Sequence, residues 1–144
     1  MTQTRNLTAG RMVLSAIMVT IGILHFTHGQ VFASIVPDYL PAPLLLVYAS
    51  GVFEIALGVG LLLERTRVLA AWGLVALYVA VFPANIHMAL HPDLHIAGVD
   101  PSFRLSPVLL WLRLPLQPLL MYWAYLYTRK GAGTPASKDA ATAA

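Results

Sequence analysis

Residues 44–63 read LLLVYASGVFEIALGVGLLL, with one charge, Glu54, near the centre. An α-helix rises about 1.5 Å per residue, so this run can cross the roughly 30 Å of hydrocarbon in a bilayer. It is continuous rather than alternating, which argues against a barrel strand of about 9–11 residues. Three other runs share its character: Leu7–Thr27 with the uncharged core Met12–Leu24, Val68–Leu90 with no formal charge, and Ser106–Tyr127 with Arg113 alone. The fold expected is an all-α integral membrane four-helix bundle spanning residues 1–130. A tail, 131–144, built of Gly, Ala, Thr, Ser and Pro with one Lys and one Asp has nothing to bury and is expected to be disordered.

Composition supports this. Hydrophobic residues make up 58% of the 144 and charged residues 10%, against roughly 45–50% and about 25% in soluble domains. Too few charges are present to form a soluble shell. The chain has no cysteine, which excludes disulfides, thiol relays and thiolate metal sites. The net charge of +3 is no sign of nucleic acid, because no basic patch is interleaved with aromatics.

The basic residues instead set orientation. Arg5, Arg11, Arg65, Arg67, Arg129, Lys130 and Lys138 fall on one side of the four runs, and Arg104 alone falls in the opposite loops with Asp38, Asp93 and Asp100. The positive-inside rule then predicts that both termini are cytoplasmic. A signal peptide ending at Val31-Phe32-Ala33 is the competing reading of the first run. The polar residues His25, Thr27, His28 and Gln30 just ahead of that point speak against it. The first outer loop, Gly29–Pro43, is too apolar for open water. It predicts a short interfacial amphipathic helix ended by the prolines at 37, 41 and 43. The second, Pro92–Leu105, is polar.

Polar side chains at membrane depth are the functional signal. An ionisable group at the bilayer centre costs about 2.5–3.5 kcal/mol on insertion scales, so it faces inward and seeks a partner. Counting along the helices brings His25, Glu54, Asn85, Arg113 and Gln117 together in the outer half, as a candidate pocket. His87 falls at the same level. Glu54 and Arg113 have opposite signs and are expected to meet, either to pin two helices together or to face a ligand. Arg113 and Gln117 are one turn apart, and Pro115 and Pro118 free the carbonyls of Trp111 and Leu114 beside them. This predicts a kinked or broken helix whose free acceptors those two side chains satisfy.

All five histidines lie on the outer side. His28, His87 and His91 are candidate metal ligands, since i,i+3 and i,i+4 spacings share a helix face. The bland reading, that interfacial histidines anchor amphipathic ends, has more support, because no HExxH motif and no neighbouring carboxylate accompanies them. Gly51 and Gly58, seven residues apart, predict close helix packing. No P-loop, GxGxxG or GxSxG motif is present.

Five pieces, in order, resemble DoxX-like membrane proteins: His25 closing the first helix; Ile35-Val36-Pro37-Asp38-Tyr39-Leu40-Pro41; Ser50-Gly51-Val52-Phe53-Glu54; Phe82-Pro83-Ala84-Asn85; and Arg113-Leu114-Pro115-Leu116-Gln117-Pro118. The likeness covers about residues 10–129. It implies a multi-pass protein of the bacterial inner membrane, related to a small subunit linked to thiosulfate:quinone oxidoreductase, to redox maintenance and to assembly partners. The expected function is an accessory or redox-associated subunit, not necessarily catalytic, with a pocket for a small amphipathic ligand such as quinone or membrane lipid. The alternatives are a structural or chaperone-like protein working with a protein partner or a second copy of itself, and a histidine metal-binding membrane protein.

Overall fold

The computed structural model describes residues 2–91 and 107–129. The second outer loop, His95 and the tail lie outside the described residues. All regular structure among the described residues is helical: α1 (Thr2–Thr27), α2 (Gly29–Ala33), α3 (Pro43–Leu62), α4 (Arg67–Leu90) and α5 (Pro107–Tyr125). Three segments are long and apolar enough to cross a membrane: Leu7–Thr27 of α1, Pro43–Leu62 of α3 and Arg67–Leu90 of α4. α5 is not among them. Arg113, Gln117 and its prolines dilute its apolar character.

α1 packs along α3, α3 along α4 and α4 along α5. The core at one end joins Leu14 and Met18 of α1, Leu61 of α3, Leu74 and Tyr78 of α4, and Ala124 and Tyr127 at the end of α5. The outside is the apolar surface: Leu69 is 75% exposed while Glu54 is 8% exposed. Soluble monomers rarely expose apolar patches of this extent, and such a surface fits a protein solvated by lipid.

The α1–α3 seam is built from small residues. Ser15 donates its hydroxyl to the Gly58 carbonyl at 2.6 Å. A Cβ on Gly22 would come within 2.8 Å of the Gly51 carbonyl oxygen, and one on Gly51 within 2.9 Å of the His25 Cβ. Glycine at these two positions lets the backbones approach until side chains of both helices share one space.

α4 passes through Pro83, and α5 through Pro115 and Pro118, each as one helix. Of the kinked and the broken helix expected at residues 114–118, the broken one is not found. α2 is the short helix anticipated in the first outer loop, but it does not stand apart from the helices. Phe32, Ile35, Val36 and Leu40 turn inward onto a cavity, and Pro37 is fully buried. Ala42, with φ 50°, turns the chain into α3, where Pro43 takes the first helical position.

At the opposite end from His25, charges are tied together. Arg11 of α1 donates to Glu64 Oε1 at 2.6 Å, and Arg67 Nη1 lies 3.6 Å from Glu64 Oε2. Arg67 also donates to the Arg129 carbonyl beyond α5, at 3.3 Å. Both arginines are buried. Two residues read from sequence as orientation signals thus also clamp α1, the α3–α4 turn and the end of α5.

Candidate functional site

A cavity of about 420 Å³ opens between the helices, in the range of small-molecule sites. His25, Glu54, Asn85, Arg113 and Gln117 all line it, together with Ser50 and Tyr78. Most of the remaining wall is aliphatic, including Ile17, Ile21, Leu77 and Leu120. His25, Glu54, Asn85 and Gln117 are buried side chains. Arg113 is exposed over much of its surface while still lining the cavity, which places it at the mouth. His87 is not on the wall.

The polar groups are wired differently from the expectation. Glu54 does not pair with Arg113. Its Oε2 lies 2.8 Å from His25 Nδ1. The reason is packing: α3 lies along α1 and α4, whereas α5 lies along α4. Nδ1 has room for one hydrogen and sits 2.9 Å from the Ile21 carbonyl, which lies in line with it. Glu54 Oε2 is therefore close to the ring but has no aligned hydrogen bond, although it is fully buried. The ring and the carboxylate are in contact, with the Ile21 carbonyl and Glu54 Oε2 both placed to compete for a hydrogen on Nδ1.

On the facing wall, Asn85 Nδ2 donates to Gln117 Oε1 at 2.9 Å, and Gln117 Nε2 donates to the Tyr78 carbonyl at 2.9 Å. Gln117 was expected to satisfy a carbonyl of its own helix; it crosses to α4 instead. Asn85 faces Gln117, and Arg113 faces Met88, with Nη1 3.5 Å from its sulfur. Among the described residues, no carboxylate pairs with Arg113.

Sequence reasoning missed Tyr78 and Ser50. Both carried a signal: Ser50 lies one turn before Glu54, and Tyr78 two turns before Asn85, on the same faces. The Tyr78 hydroxyl contacts the Met18 sulfur at 3.2 Å, fixing the ring at the cavity wall.

The histidines do not assemble. His87 and His91 rings lie 4.3 Å apart, and His91 Nδ1 sits 2.8 Å from the His87 carbonyl. His28 bonds Thr27 at 2.8 Å on the α1–α2 turn. Among the described residues no group of three His, Asp or Glu side chains is placed to share an ion.

No curated protein and no solved structure matches the chain. One family model does, over residues 14–128, which include every residue of the cavity wall named above. The chain belongs to the family described as Domain of unknown function (DUF8561).

Proposed function

We propose that this protein is a four-span protein of the bacterial inner membrane, with both termini cytoplasmic, that binds a small amphipathic ligand such as quinone or lipid in its intramembrane pocket. It acts as an accessory, redox-associated subunit rather than as an enzyme on its own. The observation that carries this reading is the meeting of five polar side chains from four helices on one largely aliphatic cavity. Polar groups at membrane depth are costly, and a cavity lined by them has a use for their hydrogen bonds. The basic residues at the Arg11 end support the orientation. The likeness to DoxX-like proteins supports the redox association.

Ala84 lines the cavity, so Ala84→Phe fills it without removing a polar group. Protein purified in mild detergent is extracted with organic solvent and the extract read by mass spectrometry. The expected result is one amphiphile near one per chain in the natural protein, reduced several-fold in Ala84→Phe at an unchanged melting temperature. Extracts that match bulk membrane lipid in both proteins would overturn the reading.

A further inference from the structure

The pocket contains two charged residues, and only one is answered. Glu54 is matched by His25, which lies 2.8 Å from it across the α1–α3 seam. Asn85 and Gln117 answer each other and the Tyr78 carbonyl. Among the described residues, Arg113 meets only the Met88 sulfur, a weak acceptor, at 3.5 Å. A guanidinium has five N–H donors in a rigid fork that matches two oxygens of one acid group. Set at the mouth of an apolar cavity, within a helix of apolar surroundings, it has no counter-charge among the described residues.

From this we propose that the ligand is an anionic amphiphile with one chain, a carboxylate or a phosphate monoester, whose head group pairs with Arg113 and whose tail lies along Ile17, Ile21, Leu77 and Leu120. This rests on the amphiphile reading above and narrows it. A neutral head group leaves the guanidinium uncompensated, and an anionic one completes it with charge-assisted bonds. The cavity of about 420 Å³ has room for one alkyl chain. Glu54 lies against His25 on the α1–α3 side of the cavity, whereas Arg113 is carried by α5.

The test uses the full chain in nanodiscs of neutral phosphatidylcholine at neutral pH, with binding by empty nanodiscs subtracted. Equilibrium dialysis compares radiolabelled decanoate, methyl decanoate and decyl phosphate, which share a chain and differ in the head. Saturable binding of decanoate, roughly ten-fold or more tighter than the methyl ester, is expected. Arg113→Gln is expected to remove that advantage, and Arg113→Lys, which keeps the charge without the fork, to restore part of it. The tighter of decanoate and decyl phosphate identifies the head group. Equal binding of acid and ester by the natural protein overturns the anionic assignment while leaving an amphiphile site in place, and this comparison stands even if a variant fails to fold. Saturable binding of none of the three overturns both.

Discussion

Replacing Glu64 by glutamine is expected to lower stability by about 2–3 kcal/mol, the largest single loss at the end of the fold remote from the pocket. The amide keeps the shape and loses the charge. Arg11, 8% exposed, and Arg67, 4% exposed, then lose the one carboxylate they share. Removing one member of a fully buried pair costs about 3–5 kcal/mol. The figure is reduced here because the Glu64 side chain is 46% exposed and water screens it. Unfolding in mixed micelles measures the loss. The effect carries a pH signature. The hydrogen bond from Arg11, with the charges of Arg11 and Arg67 added, holds the Glu64 carboxyl below its ordinary value of 4.5. A depressed folded-state value means the contribution is fully present above that ordinary value and is lost as pH falls through the folded one. The natural protein should weaken across that acid window, and Glu64→Gln should lack this component. Equal stability of the two proteins at neutral pH would show that the clamp does not hold the helices.

Gly22→Ala is expected to cost about 1–3 kcal/mol and to empty the pocket, although a single methyl group is added. The new Cβ would stand 2.7 Å from Ile55 Cγ1 and 2.8 Å from the Gly51 carbonyl oxygen. A side chain can turn away; a backbone oxygen in a helix cannot, so α1 and α3 must separate. His25 lies three residues beyond Gly22 and Glu54 sits across the seam, so their 2.8 Å contact opens with it. The control is Val52→Ala on the outer face, where the side chain is 55% exposed and little should change. Ligand content after purification, read beside the melting temperature, checks both. A Gly22→Ala protein with full ligand content would mean that the close approach of α1 and α3 does not set the site.

Much of this was legible from residue types, because hydrocarbon imposes simple rules. Runs such as 44–63 have no alternative but to be helices, and polar side chains within them must turn inward. This is why His25, Glu54, Asn85, Arg113 and Gln117 could be gathered before any coordinate was known. Which of them touch was not legible. Depth counting from run ends carries an error of about a turn, too coarse to choose between Arg113 and Gln117, one turn apart, as the neighbour of Asn85. Sequence also does not say which helices are adjacent. Glu54 and Arg113 attract each other on paper, but the glycines at 22 and 51 bring α3 against α1 and give Glu54 to His25. Glu64 went unremarked because a carboxylate in a short turn between helices ordinarily faces water. Its importance comes from Arg67, three residues on, together with Arg11, which only the fold brings to it.

The most direct test is photolabelling in native membranes with an alkyl-diazirine fatty acid, followed by peptide mapping. Crosslinks are expected at cavity residues of several helices, such as Ile21, Leu77 and Leu120, and to disappear when excess unlabelled decanoate is added. Labelling confined to outward residues such as Val52, Leu69 and Leu119, which are 55%, 75% and 60% exposed, and unaffected by competitor would show that the cavity takes no amphiphile.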